Sequence, residues 1–182
     1  MPSREKPDAI ALLKEDHRKV EDLFEKAEKA RDEDRKKTLV QQICTELMIH
    51  SMVEEEIFYP ACKDKIEDDD VLDEAYVEHD GAKVLISEIL SNVNARYFEA
   101  KVTVLSELIK HHVKEEEKRS EGLFAQAREA GLDIEALGER IMARKEELKR
   151  QFAGGNLPPP HTRSFSGHKL VQDNPVAAAG DD

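Results

Sequence analysis

Residues 50–60 read HSMVEEEIFYP and residues 111–117 read HHVKEEE. His50 and Glu54 are four apart, as are His112 and Glu116. Residues at that spacing share a helix face, so each pair offers one imidazole nitrogen and one carboxylate oxygen to a common point. The two pairs are also in register with each other, since 112 − 50 = 62 and 116 − 54 = 62. His17 and His79 keep the same interval, 79 − 17 = 62. The chain therefore repeats a two-helix unit, with one histidine on the first helix and His-x-x-x-Glu on the second. A single such pair is commonplace in a helical chain rich in glutamate. Two in register, each with its own upstream histidine, are not what a solvated helix face produces.

Outward from these motifs, apolar residues recur every three or four positions, which predicts five helices. The first runs from Asp8, a capping residue, to Arg31, with Ile10, Leu13, His17, Val20 and Phe24 on one stripe. The second, Arg35 to Lys63, carries Leu39, Ile43, Leu47, His50, Glu54 and Ile57, and Pro60 should kink it or end it near Tyr59. Behind the acidic run EDDD, the third spans Val71 to Val93 with Leu72, Ala75, His79 and Ile89 inward. The fourth, Tyr97 to Ala130, aligns Val102, Leu105, Ile109, His112 and Glu116 and stops at Gly131. The fifth, Asp133 to Gln151, packs Leu137, Ile141 and Leu148. No segment alternates with period two. The expectation is an all-α, up-down-up-down four-helix bundle with an additional C-terminal helix, residues 1–152, followed by a disordered Pro/Gly-rich tail, 153–182.

Four inward imidazoles and two inward carboxylates need compensation. An unpaired carboxylate in an apolar bundle is costly enough that His17, His50, Glu54, His79, His112 and Glu116 argue for bound cations. Imidazole nitrogen with carboxylate oxygen, and no cysteine in the set, suits iron, manganese or zinc, and two carboxylates able to bridge favour two metals. The apolar line and the repeat choose His112 over His111. On helical phase His111, Glu55, Glu56, Glu115 and Glu117 should lie outside the cluster.

The remaining composition narrows the partners. With 28 Lys and Arg against 40 Asp and Glu, the net charge is −12, which disfavours phosphate backbones and anionic lipid surfaces. No apolar run of spanning length and no signal-like N-terminus is visible, so a cytoplasmic protein is expected. Cys44 and Cys62 are eighteen residues apart on one helix. That is a rise of about 27 Å, too far for them to bridge. No Ser-His-Asp order, cysteine-histidine pair or Gly-rich phosphate loop appears, so any reaction would belong to the metals.

From Asp8 to Ala130 the chain resembles the hemerythrin-like, or HHE cation-binding, proteins, through EDH at 15–17, HSMVEEEIFYP at 50–60, EHD at 78–80 and HHVKEEE at 111–117. The resemblance implies a non-haem di-iron centre with Glu54 and Glu116 bridging and His17, His50, His79 and His112 as terminal ligands. It also implies that the centre handles dioxygen, peroxide or nitric oxide, with a metal-responsive interaction module as the alternative. Two departures separate this chain from the oxygen carriers. Lys83 stands where they have a second histidine one turn after His79. Their five-residue histidine-to-carboxylate spacing would be met by His111 and Glu116, not by His112 and Glu116. Lys83 should leave one metal with a position for water, a tyrosine or a small ligand, and Tyr76 is the nearest phenol on that helix.

Overall fold

The computed structural model describes residues 8–165, which contain helices and no strand. Helix α1 spans Ala9–Lys29 and α2 spans Glu33–Val53. The chain continues without a break through a π turn, Glu54–Phe58, into one short helix, α3, Tyr59–Cys62. Helices α4, Asp70–Ser91, and α5, Phe98–Glu116, form the second hairpin. Two more follow, α6 at Leu123–Glu129 and α7 at Ile134–Gln151. Helix α1 packs along α2, α4 along α5, and the hairpins meet through α2 with α4 and α1 with α5, as a four-helix bundle requires. Helix α7 lies across α1, α2 and the π turn.

Local chemistry accounts for the helix starts. Asp8, Asp32 and Asp133 each accept a backbone N–H three residues on, at 3.0, 2.7 and 2.9 Å. Each such cap is worth about 1 kcal/mol. The expected stripe of α1 is buried throughout, and Leu47, Ile86, Leu105, Ile109, Ile141 and Leu148 complete the core around it.

The second helix passes Pro60 and runs to Cys62, and of the two expected outcomes, a kink or an end, the chain takes an irregular turn. Proline has no N–H, and the chain absorbs the lost bond by widening the turn before it, so that Tyr59 N–H donates to Glu54 O, five residues back. The fourth helix does not run to Ala130. It stops at Glu116, turns through 117–122, and restarts as α6. Gly122 permits the turn, because a Cβ there would lie 2.6 Å from the carbonyl oxygens of both Glu116 and Lys118. Helix α6 then ends ahead of Gly131, whose φ of +69° suits the expected C′ position.

Residues 153–165 have no helix or strand, yet they are held against the bundle. The buried Asp80 carboxylate accepts from Arg163 N–H (2.8 Å) and from the N–H and hydroxyl of Ser164 (both 2.6 Å). Lys83 donates to the carbonyl of His161 (3.4 Å), and Arg163 sits over the Tyr76 ring. The rest of the expected disordered tail, residues 166–182, lies outside the described residues. No described helix is long and apolar enough to cross a membrane. Cys44 and Cys62 are both buried free thiols, and burial pushes each up to about 12.

Candidate metal centre

The fold brings all six candidate ligands into one buried cluster: His17 from α1, His50 from α2, Glu54 from the π turn, His79 from α4, and His112 and Glu116 from α5. The imidazoles meet in pairs. His17 Nε2 lies 3.1 Å from His50 Nε2, and His79 Nε2 lies 3.2 Å from His112 Nε2. Each carboxylate stands between the pairs. Glu54 Oε2 is 3.1 Å from His50 Nε2 and 3.3 Å from His79 Nε2, while Glu116 Oε2 is 3.4 Å from His17 Nε2 and 3.5 Å from His112 Nε2. The arrangement is two imidazole pairs spanned by two carboxylates.

A second ring of carboxylates fixes the imidazoles. Nδ1 of His17 donates to Glu117 (2.7 Å), of His50 to Asp16 (3.3 Å), of His79 to Glu55 (3.1 Å) and of His112 to Glu78 (2.7 Å). An ionised carboxylate can only accept, so each Nδ1 carries a proton and each ring turns its Nε2 inward, free to bind a metal once that nitrogen is deprotonated. Every outer carboxylate is backed in turn: Asp16 by Lys145 of α7, Glu117 by Arg18 (2.5 Å), Glu55 by Lys83 (2.5 Å) and Glu78 by His111 (3.2 Å). This ring repeats with the ligands, since 78 − 16 = 62 and 117 − 55 = 62.

Lone pairs aimed at lone pairs repel, so the donor set fits a cation. Glu54 Oε1 and Glu116 Oε2 are buried without a hydrogen-bond partner among the described residues, as metal-binding oxygens would be. The donors fall into two groups within bonding reach of one point, His17, His50, Glu54 and Glu116 in one and Glu54, His79 and His112 in the other.

Without a metal, protons serve instead. Burial pushes His50 and His79 down, but Glu54 with Asp16 and Glu54 with Glu55 outweigh it and raise them to about 10 and about 9. Burial alone would raise Glu54. His50 and His79 hold it well below the usual carboxylate range. Both imidazoles are therefore protonated at neutral pH and must lose their protons to become ligands. Metal loading should release about two protons per chain, and metal affinity should fall as pH falls. Acidification of a lightly buffered solution on loading measures this, and no acidification would show that the rings were already neutral.

Several residues stand elsewhere than the sequence suggested. Glu55 is buried, and Glu117 bonds a candidate ligand, so neither is an outer charge. Glu56 and Glu115 do lie outside, and His111 is largely exposed. Lys83 points at Glu55 rather than at the ligands, so it braces His79 and does more than leave a gap. The phenol at the centre is Tyr59, not Tyr76. Its hydroxyl donates to Glu116 Oε1 (2.9 Å) and Glu54 Oε2 (3.2 Å) and lies 3.2 Å from His79 Nε2. Burial and the two carboxylates raise Tyr59 well above its usual range, which keeps the donor proton in place. Tyr76 is half-buried, edge-on to Tyr59. Phe124 of α6 stacks on His17 with ring centroids 5.8 Å apart.

The chain is 27% identical over 146 residues to a DNA nickase of Nostoc sp. (strain PCC 7120 / SAG 25.82 / UTEX 2576), an alignment covering 79% of this chain and 40% of that protein. The chain thus corresponds to less than half of that relative's length. No solved structure matches. The family model of the hemerythrin HHE cation binding domain matches residues 8–124, the stretch that contributes all six clustered residues, and the chain belongs to that family.

Proposed function

We propose that the chain holds two iron ions, one between His17 and His50 and one between His79 and His112, with Glu54 and Glu116 bridging them. With these it binds or reacts with dioxygen, peroxide or nitric oxide, as a scavenger, sensor or store in the cytoplasm. The observation that carries this is the convergence of four inward Nε2 atoms with the buried Glu54 and Glu116 carboxylates, each of which has one oxygen without a hydrogen-bond partner among the described residues. Manganese and zinc accept the same donors. Paired imidazoles with bridging carboxylates in a bundle core favour iron. Bound iron would supply redox and ligand-exchange chemistry that none of these side chains offers. The chain's own work is positional. The outer carboxylates orient the imidazoles, Tyr59 holds one hydrogen against the bridging oxygens, and Phe58 and Phe124, edge-to-face at 5.6 Å, keep water from one end.

The test is reconstitution of metal-free protein with ferrous iron, followed by metal analysis, spectroscopy and a peroxide assay. About two irons per chain, near-ultraviolet charge-transfer absorption after oxidation and measurable peroxide consumption are expected. Iron near zero would overturn the proposal.

A second reading, a metal-responsive interaction module without turnover, is favoured by one contact path. From His79 it runs through Glu55 and Lys83 to the carbonyl of His161, so occupancy of the centre and placement of residues 161–164 share partners. Full iron loading with no turnover of any of the three small molecules would select it. DNA nicking, the activity in the relative's name, is disfavoured by the net charge of −12, and plasmid incubated with the loaded protein should stay supercoiled.

A further inference from the structure

A cleft of about 470 Å³ lies between the start of α4, the end of α5 and α6, and His112 and Glu116 of the centre are among the residues that line it. Eight of its fifteen lining residues are aspartate or glutamate, against a single lysine, Lys118, which is tied to Glu115. The carboxylates of Glu67 and Asp70 make no hydrogen bond or ion pair among the described residues, and Glu74 and Glu121 share the charge of Lys118 with Glu115. Glu78, deeper in, holds both His112 and His111. At the bottom, Glu116 is 3% exposed and its Oε2 has no hydrogen-bond partner.

We infer that this cleft is the loading route for a divalent cation, by which ferrous iron is gathered at the rim carboxylates and passed to Glu116 and His112. The inference rests on the proposed iron centre. Unneutralised carboxylates in a concave, low-dielectric wall focus a negative potential, which concentrates cations and speeds their arrival by about 10- to 1,000-fold. The route also fits in size. A water molecule takes about 30 Å³, so an ion with six waters, about 200 Å³, enters hydrated and can exchange waters for carboxylate oxygens stepwise. Glu116 and His112 are both buried, so the last waters must be shed where these two replace them. The same field repels anions and is indifferent to neutral peroxide or nitric oxide.

The experiment mixes full-length metal-free protein with ferrous iron under anaerobic conditions. Uncaptured iron is trapped by a chelator at timed intervals, and the final iron per chain is counted. In the triple variant Asp70→Asn, Glu74→Gln, Glu121→Gln, which touches no candidate ligand, loading should slow by about tenfold at low salt while the final count stays that of wild type. Wild-type loading should slow steeply as salt rises, and the variant's should not. A control with the same charge change on another face, Glu25→Gln, Glu28→Gln, Glu107→Gln, should load at the wild-type rate. Equal rates for wild type and the cleft variant, or equal slowing by the control, would overturn the route, as would a lowered final count in the cleft variant. The wild-type salt series stands on its own if the variant fails to fold, and salt-independent loading would also overturn the route. A wild type that takes up no iron would instead remove the centre itself.

Discussion

Glu54→Gln should empty both metal positions together, because the Glu54 carboxylate stands between one imidazole of each pair, 3.1 Å from His50 and 3.3 Å from His79. Iron after reconstitution should fall from about two per chain to well under one, since glutamine offers no charge to offset two cations. Stability should fall as well. Metal-free Glu54→Gln should melt below the metal-free parent, because protonated His50 and His79 lose the buried carboxylate that compensates them. Iron should then raise the melting temperature of the parent alone. At a thousandfold excess over the dissociation constant that gain is about 4 kcal/mol, or roughly 10 °C for a chain of this size. Glu56→Gln, two residues further on and paired on the surface with Arg144, should load and melt like the parent. A variant at 54 that still binds one iron tightly would show that the carboxylate serves one position only.

Tyr59→Phe should have the second largest effect, and chiefly on the empty protein. The phenol is the only hydrogen-bond donor, apart from imidazole, within reach of both buried carboxylates among the described residues. A hydrogen bond to a charged group contributes about 1.5–3 kcal/mol, so the metal-free variant should melt roughly 5–10 °C lower. In the loaded protein the cations compensate the same oxygens, and the loss should be much smaller. Calorimetry of the two forms measures the difference. Equal losses with and without iron would mean that Tyr59 contributes packing alone.

The ligand cluster was legible because its spacing is carried by ordinary α-helix. His50 precedes the irregular turn and Glu54 opens it with its N–H still bonded to His50 O, and His112 and Glu116 precede the break, so four-residue spacing and the 62-residue interval place them correctly. Tyr59 was not legible. In regular helix a residue five beyond Glu54 points well away from it. The π turn brings the two together, and its only trace in the sequence is Pro60. The widened turn also brings Glu55 inward beside Glu54, which helical phase forbids. A second signal was present but unused. Asp16 with Glu78, and Glu55 with Glu117, obey the same interval as the ligands they orient, so a carboxylate recurring with a buried histidine could have been paired with one. The break after Glu116 was hidden because Leu123 and Phe124 prolong the apolar pattern across a turn that only Gly122 betrays. Residues 153–165 read as featureless because backbone and hydroxyl donors to Asp80 leave no periodicity.

Phe124 and the acidic cleft fall on different imidazole pairs. The aromatic ring closes over His17, whereas the cleft opens on His112 and Tyr59 stands beside His79. The two halves of the donor set are alike in sequence interval and unlike in surroundings. Donor atoms gather as four about the His17–His50 pair and as three about the His79–His112 pair, with Glu54 in both groups. Ions held there would not be interchangeable. The enclosed one would exchange slowly and anchor the bundle, and the reachable one would meet whatever arrives, so that a pair written twice in the sequence behaves as an ordered couple with a fixed inner and outer member.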